Sequence, residues 1–381
     1  MTGSGPGRMV PTALSERQAR MALCAAVEPG SPEVSTAVAE HGAAAVWAGL
    51  ADHDGAVGRR AGTVDLTAMI AATDSVGARF VIPGDPEWPP RLADLDRVVA
   101  RGRDQVHFGG QPLGLWLRGR PLPSGPVVAI VGSRASTGYG ESVTVQLAAE
   151  AAEAGLVVIS GAAYGIDTAA HRGAVAGGGR TIAVLACGVD RAYPSGNAAM
   201  LDHLGHHELI ISELPPGSHP ARSRFLSRNR LIAAIAEATL IVEAGHRSGA
   251  RNTASWAIEL NRHLLAVPGP VTSTTSATPN RLIKERQAEL CSGIGDLLEV
   301  LSPSGDELLA GAPAEPVTTT DALPLELYEL YEALPGRGSM SADELALTTG
   351  KLLPEVLVGL AELAQLGCCR QDSDGRWSLA R

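Results

Sequence analysis

Six short apolar runs, at residues 127–131, 156–160, 181–186, 209–212, 239–243 and 263–267, alternate with stretches of helical periodicity. Runs this short and this continuously apolar suit strands covered by helices on both faces. Regular alternation of strand and helix implies parallel pairing through helical crossovers, so the predicted class is α/β, a doubly wound parallel sheet. Ligands of such sheets bind in the loops at the C-terminal ends of the strands. Here those loops are Gly132-Ser133-Arg134 and residues 161–167, 188–197, 214–230 and 244–253, all rich in Gly, Ser and Arg.

The flanking regions have different patterns. Residues 14–75 carry apolar positions at helical spacing, broken at residues 28–32, and predict a small helical region. Two further strands are expected at 80–82 and 113–118. Residues 302–322 are polar and rich in Pro, Ala and Thr, the composition of a linker. Beyond them, helices are predicted at 323–334, 342–349 and 354–366, then a hairpin of 368–371 with 376–379, which together suggest a winged-helix module. That segment is acidic: residues 322–381 hold 9 acids against 5 basic residues. Its third helix has Glu355 and Glu362 but no Arg or Lys, a poor surface for reading DNA and a better one for a protein contact. The expected domains are therefore 1–78, 79–300, a linker at 301–321, and 322–381.

Composition narrows the classes. The 381 residues are 45% hydrophobic, ample for a core. No apolar run approaches the ~20 residues of a membrane span, and the N-terminus lacks the features of a signal peptide. Five scattered cysteines give neither a disulfide framework nor a zinc site. A cytoplasmic protein with no metal, no cofactor and no membrane partner is expected.

The net charge is −10, yet no acidic residue lies between Glu213 and Glu237. That interval holds Arg222, Arg224, Arg228 and Arg230 around Phe225, read as a loop leading into a core helix at Leu231. Guanidiniums pair with phosphates and an aromatic ring stacks on a base, so the pattern fits single-stranded nucleic acid. Gly132-Ser133-Arg134 places backbone N–H groups and a guanidinium where the first strand feeds a helix, a phosphate-binding arrangement. A dinucleotide fold is disfavoured, because Gly132 to Gly138 does not match G-x-G-x-x-G and the second strand ends in Ser160-Gly161 without an acid. Gly161 and Gly165 permit close backbone approach to a ligand, while Asp167 is expected to cap the following helix. His171 and Cys187 have no partners that would make them catalytic and are read as structural. Tyr193-Pro194 and Asn197 are read as turn and cap chemistry. Asn229 either orients its segment or meets a base edge. Glu243 and Ser248-Gly249 either bind anions or shape the pocket, with Arg247 and Arg251 adding positive charge.

Taken in order, VAIVGSR, ISGAAYGID, HRGAV, TIAVLACGVDRAYPSGN, ISELPPG, FLSRNRLIA, TLIVEAG and AVPG resemble the DprA (Smf) family of DNA-processing proteins. The resemblance covers most of the chain and is tightest over residues 127–269. It implies an extended Rossmann-like fold, a SAM-like helical N-terminus and a C-terminal winged helix. It also implies binding and protection of incoming single-stranded DNA, loading of the recombinase RecA in natural transformation, and homodimers. The family's Gly-Ser-Arg arginine falls on Arg134, its basic and aromatic pair on Arg222 and Phe225, and its Arg-Asn-Arg on Arg228, Asn229 and Arg230. With Gly132, Ser133, Gly161, Gly165, Ser248 and Gly249 these form the expected DNA-binding set, and no residue is expected to be catalytic. Leu226 and Arg251-Asn252 depart from the family pattern. An alternative class is a Rossmann-like nucleotide hydrolase similar to phosphoribohydrolases. Their P-G-G-x-G-T-x-x-E signature is reduced here to Pro268-Gly269-Pro270.

Overall fold

The computed structural model describes residues 14–51, 55–100, 109–246, 248–301 and 323–380. They divide into two compact units, one on each side of residue 311.

The first unit is built on nine strands: β1 (Ala78–Val81), β2 (Leu115–Gly119), β3 (Val127–Val131), β4 (Val157–Ser160), β5 (Thr181–Val184), β6 (Leu209–Ser212), β7 (Ala238–Ile241), β8 (His263–Ala266) and β9 (Glu289–Leu290). Their order across the sheet is β1-β2-β6-β5-β4-β3-β7-β8-β9. From β6 to β9 all neighbours are parallel, while β1 and β2 add an antiparallel edge. The six expected central strands are all present. β9, two residues long, is too short to leave a periodic trace.

Alternation within β3 shows why both faces need covering. Val127, Ala129 and Val131 join one buried cluster with Leu231, Ile232, Ala254 and Trp256 from the helices Arg222–Ile235 and Ala250–Glu259. Val128 and Ile130 join the other, with Leu147, Ala151, Ile166 and Ala170 from the helices Gly138–Glu153 and Ile166–Ala176. The chain runs outward from β3 through β4, β5 and β6, then returns by the helix Arg222–Ile235 to place β7 on the other side of β3. This reversal between β3 and β7 is the topological switch point, where strand-end loops diverge and leave a crevice.

Helices precede the sheet. Glu16–Ala26 begins with a capping box, in which the Ser15 hydroxyl accepts the Gln18 N–H and Gln18 reaches back to Ser15. Pro32–His41 places its proline at the first turn behind Ser31. Met21 and Cys24 share a buried cluster with Phe80, Trp116, Leu185 and Leu204, and Arg17 makes two hydrogen bonds to Asp85, at 2.7 and 2.8 Å. Residue 78 therefore separates two parts of one compact unit.

The second unit has helices Leu325–Ala333, Ala342–Thr349 and Leu353–Gln365, then the antiparallel hairpin β10 (Cys369–Gln371) with β11 (Trp377–Leu379). This is the element order expected from the sequence. Leu330, Leu345, Val356, Leu360, Leu363 and Trp377 form its core. The linker expected at 301–321 lies almost wholly outside the described residues. Among the described residues no helix is long and apolar enough to cross a membrane.

Candidate nucleic-acid interface

A cleft of about 1010 Å³ opens at the switch point. One wall is the turn after β3, with Gly132, Ser133 and Arg134; another is the first part of the helix Arg222–Ile235, with Arg222, Phe225, Arg228 and Asn229. Ser248, Gly249 and Ala250 close the side after β7, and Ala163, Asp167 and Tyr193 come from the ends of β4 and β5. Two helix N-termini lie here, at Ala221-Arg222, which has no side-chain cap, and at Gly249-Ala250, where the Ser248 hydroxyl accepts the Ala250 N–H at 3.3 Å. The positive ends of both helices, and the uncapped N–H groups of the first, favour an anion in this position.

The turn after β3 is held from below. The Ser133 N–H donates to the Glu243 carbonyl at 2.6 Å. The buried Glu243 carboxylate accepts from Thr137 N–H (2.8 Å), Thr137 Oγ1 (2.7 Å) and Thr275 Oγ1 (2.9 Å). Of the two readings left open for Glu243, the geometry selects shaping the pocket. Gly132 allows this packing, since a Cβ there would lie 2.6 Å from Ile166 Cγ1 and 2.7 Å from the Glu243 carbonyl oxygen. Arg134 projects outward, its Cζ 4.8 Å from the centre of the Phe225 ring. Tyr193 also meets that ring, 5.5 Å between centroids at an interplanar angle of 47°. Phe225, half-buried on the cleft wall, thus contacts both a cation and a second aromatic.

The four arginines have four different fates. Arg222 is exposed on the cleft wall and has no ion-pair or hydrogen-bond partner among the described residues. Arg224 is turned away to Glu28, with bonds of 3.0 and 3.1 Å. Arg228 is buried beneath the cleft and donates to the Val184 carbonyl at 2.5 Å. Burial pulls its guanidinium down to about 10, countered by the nearby Asp167 carboxylate and reinforced by Arg134, so it stays charged at neutral pH. Arg230 does not line the cleft. It is 0% exposed, with Nη1 and Nη2 each 2.6 Å from the Glu213 carboxylate and Nε 3.0 Å from the Gly110 carbonyl.

Several expectations are corrected by this geometry. Residues 214–230 are not one loop, because the helix starts at Arg222. The acid-free interval is not free of counter-charges either, since Glu28 and Glu213 reach it through space. Gly161 and Gly165 are not among the lining residues. A Cβ on Gly161 would collide with the Arg228 guanidinium, and Gly165, at φ 74°, packs against the Ser133 carbonyl. Asp167 is not the cap of its helix, whose N-cap position is Gly165. Its buried carboxyl accepts the Ala163 N–H at 3.3 Å and is pushed up first by burial, with Arg228 opposing. Asn197 also does not cap; its amide donates to the Ala162 carbonyl and to Thr168 Oγ1. Asn229 orients, donating to the Gly249 carbonyl and Asn252 Oδ1 at 3.4 and 3.3 Å, which ties the two cleft helices together. Arg251 donates to the His246 carbonyl, and Arg247 lies outside the described residues.

Tyr193 is the lining residue that sequence reading missed. The signal was present, an aromatic in a Gly/Pro/Ser strand-end loop, but Tyr-Pro also reads as a turn. Cys187 and His171 are structural, as expected. Burial pushes the Cys187 thiol up to about 11, far from a thiolate nucleophile. The Thr181 hydroxyl donates to the Val158 carbonyl, so it accepts from His171 Nδ1, leaving Nε2 as the bare nitrogen of a neutral ring. Burial and then Arg228 lower this imidazole to about 3. The unfolded state therefore takes up a proton below about pH 6.5 that the folded state refuses, and stability falls as pH drops. Between pH 7 and 5 the His171 contribution lowers stability by at most about 2 kcal/mol. Urea denaturation at the two pH values checks this, and His171→Gln is expected to flatten the difference.

Comparison with known proteins bears on the family and the fold. Residues 79–302 match the family described as DNA recombination-mediator protein A. The DprA-type DNA processing protein of Mycobacterium tuberculosis is 46% identical over 312 residues, 80% of this chain and 78% of that one. The DNA processing protein DprA of Streptococcus pneumoniae is 40% identical over 174 residues, 46% of this chain and 61% of its own. The X-ray structure of the Streptococcus pneumoniae protein superposes with a TM-score of 0.63 at 28% identity, covering 75% of this chain and 98% of that one. DNA processing protein A of Helicobacter pylori, whose structure was described for its single-stranded DNA binding mode, gives 0.50 at 27% identity, with 58% and 95% covered. A family match over more than half of the chain, a relative at 46% identity and a shared Rossmann-like architecture carry one conclusion: the chain belongs to the DNA recombination-mediator protein A family.

Proposed function

We propose that the switch-point cleft binds single-stranded DNA and that the protein is a recombination mediator acting by binding, without catalysis. The observation that carries this reading is the stacked set of Arg134, Phe225 and Tyr193 beside the unpaired Arg222. An aromatic ring flanked by phosphate-binding groups suits an unpaired base, which can stack there while its backbone meets the cations. Phosphates lie along Arg134, Arg222 and the helix N-termini, and Arg228 adds charge from beneath. Ser248 and Gly249 complete the anion-binding side. Arg230, Gly161 and Gly165 support the wall from behind.

The wider role we propose is the one the family resemblance implies. The protein shields incoming single-stranded DNA, loads RecA in transformation, and works in the cytoplasm as a homodimer. The proposed division is a SAM-like region at 1–78, the DNA-binding region at 79–300, a linker at 301–321 and a winged-helix module at 322–381.

The test is a gel shift comparing single-stranded with double-stranded DNA for the native protein and the Arg222→Ala/Phe225→Ala variant. Preference for the single strand, lost in the variant, is expected; equal affinity for both forms would sink the base-stacking reading. Asp167, a buried carboxyl on the cleft floor with a raised titration, is the observation that favours a nucleotide hydrolase instead. Release of free base from nucleoside monophosphates would establish that activity and overturn the binding-only reading.

A further inference from the structure

Three of the five tyrosines follow β3, β4 and β5 in sequence, Tyr139 in the first turn of the helix Gly138–Glu153 and Tyr164 and Tyr193 in loops, and each is well exposed: Tyr139 at 46%, Tyr164 at 46% and Tyr193 at 40%. Large aromatic rings held open to water in a chain with only 3% aromatics call for a physical reason. Tyr139 has a local one, since its hydroxyl donates to the Pro268 carbonyl and its ring lies beside Gly269. Tyr193 already packs on Phe225.

Tyr164 lies outside the cleft lining. Its hydroxyl accepts the Gly196 N–H at 3.2 Å. A glycine at 196 leaves room for the ring where it stands, since a Cβ there would sit 2.6 Å from the hydroxyl oxygen and 3.0 Å from the ring. Gly196 is three residues beyond Tyr193 in the same loop, and that loop is pinned to the end of β4 by Asn197, bonded to the Ala162 carbonyl and Thr168 Oγ1. One hydrogen bond at its tip therefore orients the Tyr164 ring without burying its faces.

Phe225 meets the Tyr193 ring directly, and Tyr164 joins them through the backbone of the Tyr193 loop, by the Gly196 bond and not by a ring contact. This series starts on the helix Arg222–Ile235, which packs on one face of the sheet, and ends beside the helix Ile166–Ala176, which packs on the other. We propose that Tyr164 is a further base-stacking platform, so that a bound single strand continues from Phe225 past Tyr193 to Tyr164, across the C-terminal ends of the strands. This rests on the single-stranded DNA reading above and adds a direction and a length to it. Stacking tolerates every base, so the track is expected to be indifferent to sequence.

The test measures affinity for an oligothymidylate ladder from 2 to about 12 nucleotides, a span within the site sizes of single-strand grooves. Tyr164→Ala is expected to weaken the longer oligomers by about 5- to 150-fold, the equivalent of one lost stacking contact, and to leave the shortest unchanged. Tyr164→Phe, which keeps the ring and loses the Gly196 bond, is expected to retain most of the affinity. A 2-aminopurine base, quenched on stacking in the native protein at the Tyr164 end of the strand, is expected to brighten in Tyr164→Ala. Native affinity in Tyr164→Ala for every length, or an equal loss in Tyr164→Phe, would overturn the platform. If the native protein binds no oligomer, or Phe225→Ala binds as well as native, the parent reading fails. If Phe225→Ala weakens binding and Tyr164→Ala does not, only the extension fails.

Discussion

Arg230→Ala is expected to destabilise the first compact unit by about 3–5 kcal/mol, because it leaves the Glu213 carboxylate buried without its cation. The native pair is fully enclosed: both Glu213 oxygens are held at 2.6 Å, and Nη1 also donates to the Ser227 carbonyl at 2.8 Å. The pair links β6's C-terminal end to the helix Arg222–Ile235, and Arg230 Nε adds the Gly110 carbonyl. Urea unfolding followed by tryptophan fluorescence measures the loss, since Trp47, Trp88, Trp116 and Trp256 all lie in this unit. The apolar replacement Glu213→Leu/Arg230→Met is expected to recover most of it, because it removes both charges together. A single-substitution loss below about 1 kcal/mol would sink the assignment. So would a double variant as unstable as the single. Arg230→Ala that remains folded in the cold is expected to bind single-stranded DNA nearly as the native chain does, which separates a structural arginine from a contacting one.

Phe225→Ala and Arg134→Ala are expected to weaken binding of single-stranded DNA in distinguishable ways. Removing the ring loses one stacked base, about 1–3 kcal/mol, and the loss is similar at every salt concentration. Removing Arg134 loses a phosphate contact, which lowers the slope of log affinity against log salt by about 0.7 for a single strand. Arg134 also covers the ring face at 4.8 Å, so its loss includes a share of the stacking effect. A salt titration of both variants decides the point. Parallel lines for native and Phe225→Ala, with a shallower line for Arg134→Ala, are the expected pattern; unchanged affinity in both variants would remove the cleft as the binding site.

The fold was legible because buried parallel strands have few sequence solutions. Each must be short, apolar on both faces and separated by a helix, and residues 127–131 and 209–212 satisfy all three. The winding point between β3 and β7 followed less directly, since pairing order is a property of the assembled sheet. Arg134 and Phe225 were legible as a pair because both fall in strand-end loops or the helix start beyond one. Tyr193 was hidden by its proline neighbour, and Asp167 by the habit of acids near helix starts to serve as caps.

The sequence by itself determined the alternating α/β class, the acid-free arginine interval and the glycine-rich strand ends, because these depend on local composition and period. Only the tertiary structure decided which arginines are available. Arg222, Arg224, Arg228 and Arg230 lie within nine residues, yet a helix turns them in different directions, and Glu28, from the N-terminal region, and Glu213, from the end of β6, claim two of them. Charge along a chain is read in one dimension, whereas desolvation and pairing act in three. That difference is why a run of four arginines yields one exposed cation, one buried charge beneath the cleft, one half-exposed ion pair and one buried one.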